Sequence, residues 1–338
     1  MPIRLHLPSW ALATLISVAW PAAAQNTASS LAGKTITIYI GFGPGGGYDL
    51  YGRVLARHLG KHLPGHPTVV VSNMPGATSV RAANYVYNVA PKDGTALGIV
   101  AQSIGEEQLV GTAGVSYDVA KFKWIGRFAP NIEVAYVWHA VPVNTIDDLK
   151  TIEATFAGTG PSSLIYPRLL NSIAGMKWKL VNGYNTTSVA HLAMQRREVD
   201  GATSSLNTLK TTQRDWLDGR LIRILVQFAL KRSAELSAVP AVVEFGKTLE
   251  HKDVLSFYAS SGAIGRAVIA PPDMPKDRVA MLRAAFDAML KDVDFLAEIE
   301  TTKLEFDPLS GAELQRLVEG SSKVSSAVIE RARAVRAE

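Results

Sequence analysis

The stretch TITIYIGFGPGGGYDLYGR, residues 35–53, joins a β-branched run to a glycine-rich loop and a helix-like segment. Gly41, Gly43 and Gly46 fit the pattern G-x-G-x-x-G directly after the predicted strand. This pattern is typical of dinucleotide-binding folds, but it also suits any ligand that must approach the backbone closely, because glycine has no Cβ. The stretch predicts a strand, a turn and a helix, and it leaves a dinucleotide site, another ligand site or a simple turn as alternatives.

A dinucleotide site requires an acidic residue near the end of the second strand, where it binds the ribose hydroxyls. Ser72 and Asn73 occupy that place, and Pro44 interrupts the glycine pattern. These departures argue against NAD, and we expect no cofactor. The loop instead suits a carboxylate or another small anion, because the following helix offers free N–H groups at the positive end of its dipole.

The N-terminus predicts export. Residues 1–24 contain Arg4, an apolar run and the small residues Ala22-Ala23-Ala24, which together indicate a signal peptide cleaved after Ala24. An uncleaved N-terminal anchor is the alternative. Cysteine is absent from the 338 residues, which excludes disulfides, thiolate metal sites and a cysteine nucleophile. We therefore expect a periplasmic protein.

Charge and composition limit the class of partner. The chain is 47% hydrophobic and 19% charged, as in an ordinary globular protein. Because Arg4 is the only charged residue of the signal sequence, its removal lowers the formal net charge from +5 to +4. This mildly basic balance favours anionic ligands only weakly, and scattered Lys and Arg without aromatic residues between them argue against a nucleic-acid partner.

Strand-like and helix-like segments alternate along the chain, which predicts an α/β fold with mainly parallel sheets covered on both faces. Two pairs resemble helix capping boxes: Thr145 with Asp148, and Ser310 with Glu313, the latter at the start of the final long helix. An apolar stripe is formed by Val279, Leu282, Phe286 and Met289. No linker separates two domains, which suggests that the chain crosses between lobes on strands.

Three further loops with glycine or hydroxyl residues follow predicted strands: SNMPGATS (72–79), AGTGPSS (157–163) and NGYNTTS (182–188). Each Ser or Thr can be an ordinary helix N-cap. The ends of parallel strands, however, lie at one edge of a sheet, where ligands bind in open α/β folds. Four such loops in two halves of the chain therefore predict a common cleft.

Four segments carry a resemblance to a known family: IGFGPGGGYDLYGR, SNMPGATSVRAANYVYNVAPKDGT, ATFAGTGPSSLIYPRLLNSIAGMKWKLVNGY and AMQRREVDGATSSL. With the closing APPDMPKDRVAMLRAAFDAML, they resemble the Bug-type extracytoplasmic solute receptors of tripartite tricarboxylate transporters. The resemblance implies a two-lobed, type II-like Venus-flytrap fold with a hinge of crossover strands. It assigns residues 34–132 and 254–338 to the first lobe and 133–253 to the second.

The resemblance also implies ligand-binding residues. These are Gly45, Gly46, Gly47, Tyr48 and Asp49 in the first loop, Gly76, Ala77 and Thr78 in the second, Thr159, Gly160, Ser162 and Ser163 in the other lobe, Tyr184 and Thr186 beside it, and Ser204 and Ser205 in a further segment. Many relatives have PGAGG where this chain has PGATS, so Thr78 is expected to narrow the pocket or add a hydroxyl contact.

Enzyme and metal functions find little support in the sequence. There is no G-x-S-x-G motif. His58, His62 and His66 have helical spacing, but Pro64 and Gly65 end the helix before His66, so a solvated helix end is the preferred interpretation. We expect a monomeric, non-enzymatic receptor that delivers a small organic carboxylate to the membrane permease subunits of such a transporter. The alternatives are a ligand-sensing adaptor for a sensor kinase and an exported hydrolase.

Overall fold

The structure is a computed structural model that describes residues 30–158, 161–184, 186–321 and 323–337. The predicted signal peptide, residues 1–24, lies outside the described residues. Within the described ranges, none of the helices combines the length and the apolar character that crossing a bilayer requires.

Sheet 1 has six strands in the order β11-β4-β10-β3-β1-β2. Strand β1 is parallel to β2 and β3, whereas β10 is antiparallel to β3 and β4, and β11 is antiparallel to β4. The strands are β1 (Thr35–Ile40), β2 (Thr68–Asn73), β3 (Ala96–Ile99), β4 (Lys123–Arg127), β10 (Ala267–Ala270) and β11 (Leu309–Ser310).

Sheet 2 has five strands in the order β7-β6-β8-β5-β9. Strand β6 is parallel to β7 and β8, and β5 is antiparallel to β8 and β9. The strands are β5 (Glu133–Trp138), β6 (Ala154–Gly158), β7 (Trp178–Asn182), β8 (Gly201–Ser205) and β9 (Ile222–Phe228). The α/β class is confirmed.

The prediction of mainly parallel sheets was wrong, because both sheets are mixed. The chain passes from sheet 1 to sheet 2 between β4 and β5, and it returns between β9 and β10. Each passage reaches the new sheet on the side where the carboxyl ends of its parallel strands lie. Strands β5 and β10 therefore begin where their neighbours β8 and β3 finish, and they run in the opposite direction.

Helices cover both sheets. They are α1 (Gly47–His58), α2 (Val80–Asn88), α3 (Ile104–Leu109), α4 (Pro161–Ala174), α5 (Thr187–Gln195), α6 (Leu206–Thr212), α7 (Arg214–Asp218), α8 (Leu249–Ser260), α9 (Lys276–Met289), α10 (Val293–Thr302), α11 (Gly311–Ser321) and α12 (Ser326–Ala337).

Both predicted capping boxes are present, but they begin different elements from those expected. Thr145 and Asp148 cap a 3₁₀ turn, Ile146–Lys150, in which Asp148 accepts from the Thr145 N–H at 2.9 Å. Ser310 and Glu313 begin α11, which is not the final helix, because α12 follows it.

Side-chain alternation places an apolar core on each face of each sheet, as predicted. On β5, Val134 and Tyr136 point into one cluster, while Ala135 and Val137 point into the other. The predicted stripe of α9 is buried against sheet 1. Helices α8 and α12 join the same cluster as Ala135, so the C-terminal end of the chain packs on sheet 2.

Candidate functional site

A cleft of about 840 Å³ lies between the two sheets. The loops after β1, β2 and β3 form one wall, and the segments after β6, β7 and β8 form the other. Each sheet thus presents the carboxyl ends of its parallel strands to the cleft, which is where ligands bind in open α/β folds. The volume falls in the range of small-molecule sites, roughly 300–1,000 Å³.

Most of the predicted site residues meet in this cleft. Those in its lining are Gly46, Gly47, Tyr48, Gly76, Ala77, Thr78, Ser163, Tyr184, Thr186, Ser204 and Ser205. Gly45 and Asp49 do not belong to the lining. Thr159 and Gly160 lie outside the described residues, and so does the side chain of Ser162.

The glycine loop brings the start of α1 to the cleft. Gly45 has φ of +83°, a conformation that favours glycine, and Gly46 is the N-cap with φ of −88° and ψ of 169°. Gly46, Gly47 and Tyr48 face the cleft. Because the first N–H groups of a helix have no partner within it, this end of α1 offers donors and a positive dipole to an anion.

Asp49 holds the loop from behind. Its carboxylate accepts from the Gly45 N–H at 2.9 Å, from Arg53 Nε at 2.8 Å and from Asn73 Nδ2 at 2.9 Å. Burial alone would raise the pKa of Asp49, but these hydrogen bonds outweigh it and hold the pKa below its usual value. Asn73, at the position where a dinucleotide fold needs an acid, also donates to the Phe42 carbonyl at 2.9 Å. This position therefore supports the loop.

The second loop has an unusual backbone. Gly76 has φ of 141°, and the next three residues, Ala77, Thr78 and Ser79, have φ of 45°, 51° and 70°. A non-glycine residue in this left-handed region costs about 1–2 kcal/mol. The Ser79 hydroxyl donates to the Gly41 carbonyl at 3.1 Å and so ties the second loop to the first. This geometry explains why glycine suits the positions of Thr78 and Ser79 in PGAGG.

In the second wall, two predicted site residues are also helix caps. Thr186 Oγ1 accepts from the Val189 N–H at 3.3 Å at the start of α5, and Ser205 Oγ accepts from the Thr208 N–H at 3.0 Å at the start of α6. The capping and cleft-lining interpretations are therefore both correct for these residues. Ser205 is the last residue of β8 and Thr186 ends the loop after β7, and both caps lie in the cleft lining.

Sequence reasoning missed the three charged side chains of the cleft lining: Glu106, Glu133 and Arg266. Burial raises the pKa of Glu106 well above its usual value, and it also raises the pKa of Glu133, although the Arg266 charge and a hydrogen bond from Asn131 counteract it. Arg266 is buried and adjoins Tyr48. Nothing local in the sequence separates these residues from other isolated charges, since only the tertiary fold brings them together.

The interpretation of the three histidines as a solvated helix end was wrong for His58, whereas His66 is exposed. His58 is buried, and its Nε2 lies 2.7 Å from Glu298 Oε2. His62 Nε2 lies 3.4 Å from Asp292 Oδ2. His66 follows in a turn with φ of 46°. In the part of the chain that the structure describes, no group of three His, Cys, Asp or Glu side chains could hold a metal ion.

Known structures share this fold. The structure of the periplasmic binding protein BugD aligns with a TM-score of 0.69 at 19% identity, over 89% of this chain and 97% of that one. Rpa4515 of R. palustris, solved with adipate, aligns with a TM-score of 0.67 at 21% identity, over 90% of this chain and 97% of that one. MatC from Rhodopseudomonas palustris, solved with malate, gives 0.64 at 19%, over 89% and 98%.

A comparison with curated protein sequences found no match. The family model of the tripartite tricarboxylate transporter family receptor, TctC, matches residues 52–333, which is most of the chain. The match includes the loops after β2, β3, β6, β7 and β8 that form the cleft. The chain therefore belongs to the TctC family of tripartite tricarboxylate transporter receptors.

Proposed function

We propose that this protein is a periplasmic solute-binding receptor that captures a small organic carboxylate between its two lobes. The observation that carries the proposal is the glycine loop, where the open N-terminus of α1 faces the cleft at Gly46, Gly47 and Tyr48. Free N–H groups and a positive dipole end are the features that bind carboxylates in proteins. The adipate and malate in the neighbouring structures agree with this ligand class.

The ligand contacts in the proposal come from both walls of the cleft. Gly46, Gly47 and Tyr48, with the second loop, would act from sheet 1, and the hydroxyls of Ser163, Thr186 and Ser204 would act from sheet 2. The Ser205 hydroxyl is already bonded to Arg266 and Thr208, so its part would be to hold Arg266 at the cleft. Thr159, Gly160 and Ser162 remain part of the predicted set. A ligand held by both walls stabilises the closed arrangement, because its contacts are complete only there, and it shifts the population towards closure.

The proposed division into lobes places residues 34–132 and 254–338 in the first lobe and 133–253 in the second. Helices α8 and α12 lie wholly or partly in the 254–338 segment but pack in the core of sheet 2. They would therefore link the two lobes beside the two strand passages, β4 to β5 and β9 to β10. We propose these four segments as the connection across which the lobes move.

We further propose that residues 1–24 direct export and are removed after Ala24, and that the mature protein is monomeric and has no catalytic activity. The closed, loaded form would be recognised by the permease subunits of a tripartite tricarboxylate transporter. This partner rests on family membership. A receptor that instead presents the ligand to a sensor kinase would use the same cleft.

The direct experiment is thermal unfolding of the mature protein, residues 25–338, with malate, succinate, adipate, citrate, benzoate, glutamate or NAD. A ligand that binds only the folded state at a hundredfold excess over its Kd stabilises the protein by about 2.7 kcal/mol, which a melting curve resolves. We expect one or a few acids to raise the Tm and NAD to leave it unchanged. A Tm rise with NAD and with none of the acids would overturn the proposal.

The same samples test the enzymatic alternative. After incubation with the stabilising acid, chromatography should recover the acid unchanged and in full. Conversion of the acid to a product at a rate proportional to the protein concentration would contradict a purely binding function.

A further inference from the structure

Arg266 is a buried residue of the cleft lining. It lies between Gly265 and β10, only 1% of its surface is exposed, and it belongs to the cleft lining. Its Cζ is 3.9 Å from the centroid of the Tyr48 ring, and Tyr48 in turn stacks on Phe42 with centroids 4.3 Å apart. Nη2 donates to Ser205 Oγ at 2.8 Å across the cleft. These contacts hold the guanidinium in place beside Tyr48 and Ser205.

The contacts leave much of the guanidinium unsatisfied. Nε and Nη1 are buried and have no hydrogen-bond partner among the described residues. The described ion pairs likewise include no carboxylate bound to Arg266. A buried cation without a counter-ion is unfavourable, and buried N–H donors are normally paired. The arrangement is the one expected of a group that receives its anion from a ligand.

The nearby carboxyl groups do not fill this role. The Arg266 charge acts to lower the pKa of both Glu133 and Glu305, so both carboxyl groups lie near it, but the ion pairs of the described residues include neither pair. Glu133 Oε1 instead accepts from Asn131 Nδ2 at 2.9 Å. Glu106, the other acidic residue of the lining, has a raised pKa and lies near Ser261. The remaining lining residues are uncharged, so Arg266 carries the one positive charge among the described residues of the cleft lining.

Arg266 is also adjacent to the glycine loop. A Cβ placed on Gly47 would lie 3.0 Å from Arg266 Nη2 and 2.8 Å from Thr208 Oγ1. The guanidinium and the N-terminus of α1 therefore share one corner of the cleft. Backbone N–H groups recognise any acceptor oxygen, including that of an amide, whereas a buried guanidinium strongly favours an ionised one.

We propose that Arg266 binds the carboxylate of the ligand directly and makes the cleft selective for the ionised acid over the corresponding neutral amide. This inference rests on the proposed function and adds to it the residue that recognises the negative charge of the ligand. The ligand class is a small acid whose carboxylate is buried against Arg266 and the start of α1.

The test compares acids with their amides by calorimetric titration of the mature protein. The pairs are succinate with succinamide, malate with malamide, adipate with adipamide, and benzoate with benzamide. We expect the wild type to bind its acid at least a hundredfold more tightly than the amide. Arg266→Gln should lose at least thirtyfold in affinity for the acid, and its preference for the acid over the amide should fall below about fivefold. Arg266→Lys should have an affinity for the acid, and a preference for acid over amide, between those of the wild type and those of Arg266→Gln.

Arg57→Gln is the matched control, because it removes the same charge from an exposed side chain that pairs with Glu298 outside the cleft. Its affinity should stay within twofold of the wild type, and circular dichroism should show that all variants are folded. An Arg266→Gln protein that keeps both affinity and acid preference would overturn this inference alone. Equal binding of acid and amide by the wild type would overturn it even if the Arg266 variants fail to fold. If the wild type binds no acid, the proposed function itself fails.

Discussion

Replacing Gly46 by valine should abolish ligand binding while leaving the fold intact. Gly46 has φ of −88° and ψ of 169°, an extended conformation that valine adopts readily, and a Cβ built there meets no atom within 4 Å. The substitution therefore introduces no clash within the protein. Its branched side chain would instead project beside the cleft at the N-terminus of α1, where the carboxylate is proposed to bind.

The expected effect follows from the contacts that the side chain would block. If the ligand loses two backbone N–H contacts to its carboxylate, at about 1.5–3 kcal/mol for each hydrogen bond to a charged group, the loss is about 3–6 kcal/mol. This loss corresponds to at least a hundredfold in Kd. The effect on stability should be small, about 1 kcal/mol or less, because valine is a poorer N-cap than glycine.

The assay is calorimetric titration with the acid that stabilises the wild type, accompanied by thermal unfolding. Gly46→Ala adds a single methyl group at the same place and should give an intermediate loss. Gly320→Ala, in α11 and outside the cleft, also meets no atom within 4 Å and should bind as the wild type does. A folded Gly46→Val protein with unchanged affinity would refute the reasoning, because the loop would then be only a turn.

Three further predictions concern individual side chains. Asp49→Asn should weaken binding less than Gly46→Val but should destabilise the protein at pH 7. Because the pKa of Asp49 is lowered in the folded protein, its contribution to stability is present above the ordinary aspartate pKa and is lost as the pH falls through the folded value. A destabilisation by Asp49→Asn that is the same at pH 7 and pH 3 would contradict this prediction. Burial lowers the pKa of His191 to about 4, and its ring is hydrogen-bonded to Tyr136 at 2.7 Å. The unfolded chain therefore takes up a proton at a higher pH than the folded protein does. Urea unfolding should show a loss of stability of up to about 3 kcal/mol as the pH falls from 6.5 to 4. His191→Gln should remove this part of the pH dependence, and an unchanged profile would count against it. Gly201→Ala should lower the Tm markedly, because its Cβ would lie 2.3 Å from the Phe156 ring and 2.4 Å from a backbone oxygen; an unaltered Tm would show that the strands can separate at that point.

Local patterns were sufficient to predict much of the fold. The β-branched run before Gly41 predicted β1 with the boundaries that it has, and the apolar stripe of α9 is buried. Strand direction was less accessible. Nothing in the segments Glu133–Trp138 and Ala267–Ala270 indicates that these strands run antiparallel to β8 and β3, because strand direction depends on the path of the chain between the sheets.

Local sequence patterns likewise predicted one part of the candidate site and missed another. Loops after strands carry a local signature of glycine and hydroxyl residues, so their meeting in one cleft could be predicted from topology. Arg266 could not be predicted, since it lies more than 200 residues from the glycine loop and contacts it only through tertiary packing. Asp49 shows a third case, because the family resemblance placed it among the ligand-binding residues, whereas its hydrogen bonds to Gly45 and Asn73 support the loop.

The most direct test of the central claim is isothermal titration of the mature wild-type protein with the panel of organic acids and with NAD. The protein should first be unfolded, dialysed and refolded, so that any ligand retained from the cells is removed. We predict saturable binding of one acid per protein molecule, micromolar or tighter, and no binding of NAD. Binding of NAD without binding of any acid would contradict the account.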